Sequence, residues 1–366
     1  MWGRGGVPSL RAGPGKAWEN MSHSGAVFVG IDGGATTSKI AAVREDGSVV
    51  SMELLQRPTG SEGGPRGVIR AWIGAIGEFL GENGIGWKCV EGVGVAVPGP
   101  RRSYGVLDVS PNLPASFGGW DVATDLGAAL ESAAGRRLPL SLGNDGNLGG
   151  VAEAKQVRGD GKLSVVMLAP GSGLGGAYID GNGLPLDGGA LAGMEVGHMP
   201  APLHLLGAQA YRCGCGRDWG CFEMYASLAG LPYLFEEALK RHPEHPLAKL
   251  EGTPKERVLP LRGLAQTGDQ LALELFDFQA KAMGLLIADL AMAVDPDTFV
   301  IGGGLIDPEA TTEEFRNRYL GKMKETALEY LWPTQREHLR VVPASLGELS
   351  QAIGAALVAL YERGKR

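Results

Sequence analysis

The chain has 366 residues, 34 basic and 41 acidic side chains giving a net charge of −7, and 44% hydrophobic composition, as expected of a globular protein of two domains or one large one. No run of about 18 apolar residues is present, so no segment is suited to span a membrane. The mild acidity argues against a nucleic-acid partner, because a DNA binder displays a basic face.

Residues 1–24 are rich in Gly, Pro and Arg and carry neither a helical nor a strand period. They lack the apolar core of a targeting peptide, so a disordered leader is expected. From Ala26 the pattern changes: residues 27–31 read as a buried strand, ending in Asp32-Gly33-Gly34-Ala35-Thr36-Thr37-Ser38. A second strand over 39–43 and a third over 49–52 should follow. A glycine turn between strands, with exposed amides and hydroxyls, makes a phosphate cradle in which Asp32 can hold a hydrated Mg²⁺. It is equally an ordinary hairpin turn.

Val68, Ile69, Trp72, Ile73, Ile76, Phe79 and Leu80 recur at helical spacing and predict an amphipathic helix over 65–82. A strand at 93–97 runs into Pro98-Gly99-Pro100, which stops it and exposes backbone at a sheet edge, where α/β proteins place ligands. Ser110-Pro111-Asn112-Leu113-Pro114 reads either as part of a ligand cleft or as a plain proline-bounded loop.

A strand over 138–142 delivers Gly143-Asn144-Asp145-Gly146-Asn147 ahead of a helix over 148–154. An Asp at a strand end can orient a hydroxyl and accept its proton, and an Asp that caps the helix looks the same in sequence. Residues 163–169, the turn Pro170-Gly171-Ser172-Gly173-Leu174-Gly175-Gly176 and a strand at 177–180 then repeat the plan of residues 27–52 about 135 positions on. The repeat implies a duplicated fold with a nucleotide between its halves. Gly171 to Gly176 also matches a dinucleotide fingerprint, but the expected successor is a strand and not a helix.

His198, Cys213, Cys215 and Cys221 make the inventory of a Cys₃His zinc site, with Gly214, Gly216 and Gly220 interleaved as a metal loop requires. The alternatives are three cysteines packed as small hydrophobes, or a disulfide that Cys-Gly-Cys is too short to close on itself. With three cysteines committed to metal only Cys89 is left, and a reducing cytoplasm fits best. Residues 225–265 say little. Residues 271–294 predict a long buried helix, 298–301 a strand ending in Gly302-Gly303-Gly304, and about 346–362 a final helix.

Glu195-Val196-Gly197-His198 followed by Cys213-Gly214-Cys215-Gly216 and Gly220-Cys221-Phe222-Glu223 resembles the signature of the ROK family of bacterial sugar kinases and repressors. Three residues, Arg217, Asp218 and Trp219, separate the last two blocks where the usual spacing has two. The Asp32 turn, Asn112-Leu113-Pro114, Asn144-Asp145, the Gly302 run and Ile353-Gly354-Ala355-Ala356 follow the same resemblance in order, over residues 26–362. It implies an α/β, two-lobed, actin-like ATPase (ribonuclease H-like) fold with a duplicated core and an interlobe cleft. The small lobe would comprise 25–145 with the C-terminal helix 346–366, and the large lobe 146–345 with the zinc loop 198–221.

The activity so implied is ATP-dependent phosphorylation of a hexose at its 6-hydroxyl, glucose foremost, with Asp145 as general base. Asn144, Asn112, Gly99, Glu195, His198 and Glu223 would bind the sugar. Asp32, Gly33, Gly34, Thr36, Thr37, Gly171, Ser172, Gly173, Gly302, Gly303 and Gly304 would hold ATP and Mg²⁺, while Zn²⁺ is structural. Other hexoses or N-acetylhexosamines, polyphosphate as donor, and a sugar-responsive regulator lacking its DNA-binding domain are the alternatives. The resemblance also implies a homodimer or tetramer.

Overall fold

The apolar run at 27–31 extends into strand β1 (Val27–Gly33), every residue of which is buried. The computed structural model describes residues 25–97, 101–108 and 117–363; the expected leader, Gly99 and Asn112 lie outside them. β1 pairs antiparallel with β2 (Thr37–Arg44), which pairs with β3 (Leu55–Pro58). On its other side β1 runs parallel to β4 (Val90–Val97), whose next parallel neighbour, after a separate ribbon of β5 (Arg101–Ser103) and β6 (Val106–Leu107), is β7 (Leu140–Asn144). The sheet order is β3-β2-β1-β4-β7.

The strand expected over 49–52 is not formed. Val49 makes a single bridge to Val43. Met52 and Leu54 then face solvent, and Leu55, 6% exposed, is the first apolar side chain after the turn to be buried outright, where the third strand begins, Val49 and Val50 being only half-buried against the core.

The second sheet repeats the plan. β8 (Val165–Pro170) forms a hairpin with β9 (Leu174–Ile179) and runs parallel to β10 (Thr298–Ile301), which is parallel to β11 (Val341–Pro343). Its order is β11-β10-β8-β9. The strand expected after Gly183 is again only a bridge, Ile179 to Pro185. Each sheet is thus a hairpin whose first strand takes a later strand in parallel, and the expected duplicated α/β fold is what the chain adopts.

Helix α1 (Gly64–Glu82) starts with a proline in its first turn and buries the stripe Val68, Trp72, Ile76, Phe79 and Leu80 on the first sheet's core. α2 (Val122–Ala134), which the sequence reading passed over, is capped by Asp121 and ended by Gly135 in a left-handed conformation. The long helix (Gln270–Val294) is buried on most sides, beside a second unanticipated helix, Glu313–Tyr330.

Between the sheets lie α3 (Asp145–Arg158) and the last helix (Ser350–Arg363). The last helix packs on β1, β2, β4 and β7 on one side and on α3 on the other, and α3 packs on β8 and β9. Small residues make this possible: a Cβ at Gly30 would stand 1.8 Å from the Ala352 carbonyl oxygen, and one at Gly94 1.9 Å from that of Ala355. Backbone meets backbone here, so an added methyl costs about 1–3 kcal/mol or more. Glu153, on α3 and 1% exposed, accepts hydrogen bonds from the Ser345 amide (2.9 Å) and the Leu346 amide (2.8 Å). That fastens the chain entering the last helix to α3.

Candidate active site and metal centre

Strand β7 hands over to α3 between Asn144 and Asp145, which settles the capping question the sequence left open. Asn144 is the N-cap: its Oδ1 accepts from the Gly146 amide at 2.9 Å and the Asn147 amide at 3.3 Å. Asp145 is the first helical residue, and its Oδ1 accepts from the Gly146 amide at 2.8 Å. Among the described residues nothing donates to its Oδ2. Burial pushes its carboxyl above the usual range, against the backbone donors that hold it down.

The first glycine loop stands next to it. Asp32, 9% exposed, is the penultimate residue of β1 and lies 3.6 Å from the Lys39 ammonium, which reaches Glu348 at the same distance. Burial raises the Asp32 carboxyl from 3.8 to about 6, with the Asp145 and Glu348 carboxylates adding and Lys39 opposing. The loop is pinned from outside: the Thr59 hydroxyl donates to the Gly34 carbonyl at 2.7 Å, and Trp72 Nε1 donates to Ser38 Oγ at 2.8 Å. Thr36 accepts at its carbonyl from the Thr59 amide (2.8 Å), and Thr37 already belongs to β2.

The second glycine loop closes on itself, with the Gly171 amide donating to the Gly173 carbonyl at 2.8 Å. Here Glu223 supplies the carboxylate. Its Oε2 accepts from the Leu174 amide at 3.0 Å and occupies the space where a Gly173 Cβ would be, 2.4 Å away. A cleft of about 220 Å³ opens beside the loop, lined by Gly171, Ser227, Leu231, Phe276, Gln279 and Gly304. Gly303, at φ +88°, lets the chain after β10 press on Pro170: a Cβ there would meet the Pro170 carbonyl oxygen at 1.9 Å. The Gly302 run is therefore packed against the second loop. No helix follows it at once, since the next one starts at Glu313.

Glu195 precedes a short 3₁₀ turn, Val196–His198. Burial raises its carboxyl, His198 opposes, and the Asp145 and Glu223 carboxylates push further. These mutual fields tie four carboxylates, Asp32, Asp145, Glu195 and Glu223, into one electrostatic neighbourhood.

The ligand atoms of His198, Cys213, Cys215 and Cys221 all lie within 4.8 Å of one another. Cys215 and Cys221 sulfurs are 3.8 Å apart, and Cys213 Sγ is 3.7 Å from His198 Nδ1. Zn–S bonds of about 2.3 Å in a tetrahedron give edges of about 3.8 Å, which these two separations match, and the donor types suit that ion. Burial pushes the Cys213 thiol up to about 12 and raises that of Cys221, whereas at Cys215 hydrogen bonds from the Arg217 amide and the neighbouring sulfurs outweigh burial and lower the thiol; a bound cation would favour the thiolate at all three. Nδ1 faces the sulfurs, which leaves the other ring nitrogen of His198 for a different partner. Cys213 also donates to Glu223 Oε1 at 3.4 Å, linking the cluster to the second glycine loop.

Sequence reasoning missed the supports. Lys39, Thr59 and Trp72 hold the first loop. Asn147, 3% exposed, donates to Asp187 at 2.9 Å and so ties α3 to the segment ahead of Glu195. Trp219 donates to Cys221 Sγ at 3.2 Å. The partners of Ser38 and Gly34 are 21 to 34 residues away, a separation that carries no local sequence signal.

The ROK family model matches residues 28–362. The chain is 30% identical over 335 residues to a glucokinase of Streptomyces coelicolor, covering 90% of this chain and 96% of that one. It is 30% identical over 260 residues to an N-acetyl-D-glucosamine kinase of Escherichia coli, covering 69% and 78%. Among solved structures, the ROK hexokinase from Thermus thermophilus matches with a TM-score of 0.69 at 30% identity, over 93% of this chain and all (100%) of that one. A ROK family glucokinase from Streptomyces griseus in complex with glucose and AMPPNP matches with a TM-score of 0.66 at 25% identity, over 91% and 99%.

Proposed function

The chain belongs to the ROK family, as a sugar kinase of the hexokinase type, and on that premise we propose that it moves the γ-phosphoryl group of ATP to the 6-hydroxyl of a hexose, with glucose as the preferred acceptor. In this reading Asp145 Oδ2 orients the hydroxyl and takes its proton as the oxygen–phosphorus bond forms and ADP leaves. A base whose carboxyl is raised by burial is the better acceptor of that proton, provided the pH keeps it ionised. Asn144, Glu195, His198 and Glu223 bind the remaining hydroxyls. Each carboxylate can accept two such hydrogen bonds, and an unmet partner in a dry site costs about 1–3 kcal/mol. Asn112 and Gly99 are assigned to the same cleft by resemblance alone.

Gly33, Gly34, Thr36, Thr37, Gly171, Ser172 and Gly173 cradle the phosphates, and Gly302, Gly303 and Gly304 take the adenosine side, next to the cleft lined by Gly171 and Gly304. Mg²⁺ near Asp32 would offset charge on the phosphates. Zinc on His198, Cys213, Cys215 and Cys221 would fix the loop that carries Glu223. It needs no open coordination position.

The observation that carries this reading is the Asp145 carboxyl at the head of α3, near enough that its charge raises both the Asp32 and the Glu195 carboxyls. Likeness to the N-acetyl-D-glucosamine kinase supports a second acceptor class, the N-acetylhexosamines. A coupled assay with glucose, N-acetylglucosamine, N-acetylmannosamine, mannose and fructose, each with ATP or polyphosphate, tests both. Glucose with ATP should give the highest kcat/KM; no turnover with any pair refutes the proposal. The resemblance extends it to a homodimer or tetramer, which light scattering decides.

A further inference from the structure

The residue that lengthens the metal loop gives it a pair of donors aimed at the sulfurs. Arg217, Asp218 and Trp219 fill the gap between Gly216 and Gly220. The loop turns tightly: the Cys213 amide donates to the Arg217 carbonyl at 2.8 Å, the Gly216 amide donates to the Cys213 carbonyl at 2.9 Å, and Gly216 has φ +91°. This turn sets the Trp219 indole so that Nε1 donates to Cys221 Sγ at 3.2 Å. The Arg217 guanidinium lies over the Trp219 ring, 5.0 Å from its centroid, with Nη1 3.9 Å from Cys215 Sγ.

Burial separates the two sulfurs. Cys221 is fully buried, so water cannot serve its sulfur, and the indole N–H takes that place. Cys215 is exposed, and the guanidinium stands over it on the solvent side. A divalent zinc with three thiolates and a neutral imidazole carries a net charge of −1, spread mostly over sulfur. An N–H donor and a cation beside those sulfurs draw on that charge, and a thiolate with less charge is slower to take a proton, an oxidant or an electrophile.

We propose that Trp219, seconded by Arg217, is a positioning residue that holds zinc in place and shields its thiolates. The proposal rests on the metal reading above. Its experiment uses full-length protein purified with its metal, in three forms: wild type, Trp219→Phe, which keeps a ring but lacks the N–H, and Trp219→Gln, which restores an N–H at the end of a flexible chain. Zinc content is read by elemental analysis, metal release by a chromogenic chelator, and sulfur reactivity by a thiol-modifying disulfide reagent. Because Trp219 is 48% exposed, all three should fold. Expected is a zinc-loaded wild type, with release and thiol modification about tenfold faster in Trp219→Phe and largely restored in Trp219→Gln. Release from Trp219→Phe at the wild-type rate overturns the role of the donor, as does Trp219→Gln releasing as fast as Trp219→Phe. A folded wild type that carries no zinc instead overturns the metal centre itself.

Discussion

The two glycine loops sit at matching places in their sheets, one between β1 and β2 and the other between β8 and β9, yet each acquires its carboxylate differently. In the first, Asp32 belongs to the strand, is buried, and is balanced by Lys39 at 3.6 Å. In the second, Glu223 arrives 49 residues downstream of the amide it accepts from, delivered by the cysteine loop into space that Gly173 leaves open. A repeated backbone plan therefore does not repeat its charges. The first loop depends on a pair of charges held by one sheet, and the second on a glycine and a cysteine cluster.

The sharpest way to break this contrast is Gly173→Ala. Its Cβ would fall 2.4 Å from Glu223 Oε2, and the flexible carboxylate, not the backbone, must give way. Steady-state kinetics should show kcat/KM for the sugar down about 100-fold with little change in Tm, the cost of roughly an ångström of misplacement. Unchanged kinetics would mean that Glu223 is not where the sugar reads it.

Removing the metal comes next. If the cysteine cluster holds zinc as proposed, chelation should raise the sugar KM about tenfold or more while the KM for ATP shifts far less, because only the second loop borrows its carboxylate from the cysteine segment. Equal loss on both substrates would erase the distinction.

Asp32→Asn probes the first loop with a smaller effect. The folded protein holds the Asp32 proton up to about 6, whereas an ordinary carboxyl releases it near 3.8. Its contribution to stability therefore falls as pH rises from about 4 to about 6, and the charged form is unfavourable above that. The Asn variant should be more stable than the wild type at pH 7.5 by on the order of 2 kcal/mol, an advantage that vanishes near pH 4, although it turns over poorly. Denaturant titrations at the two pH values check the sign. The smallest effect is expected of Thr59→Val, which strips the hydroxyl from the Gly34 carbonyl and Ser38 Oγ and should cost about 1 kcal/mol of stability.

Elements with strong local patterns were legible from the residues. The helix expected over 65–82 begins one residue earlier, and the strand at 298–301 has the bounds expected of it. β3 was misplaced because its four residues, Leu-Gln-Arg-Pro, offer only one buried side chain. The Glu313–Tyr330 helix escaped notice although Thr312 caps it and Phe315, Tyr319, Met323 and Ala327 recur at every fourth position, because polar residues fill the rest. At the site, residue types and spacing brought out the cysteines and the glycine turns. Lys39, Thr59, Trp72 and Trp219 act through contacts that only the folded chain creates.

The proposed phosphoryl transfer rests on Asp145. Calorimetric glucose binding and ATP-dependent turnover should be measured side by side on the wild type and Asp145→Asn. Expected are a dissociation constant within about threefold of the wild type and a kcat lower by at least about 100-fold, as loss of a general base alone would give. An Asn variant that still phosphorylates glucose at a rate near the wild type would contradict that role.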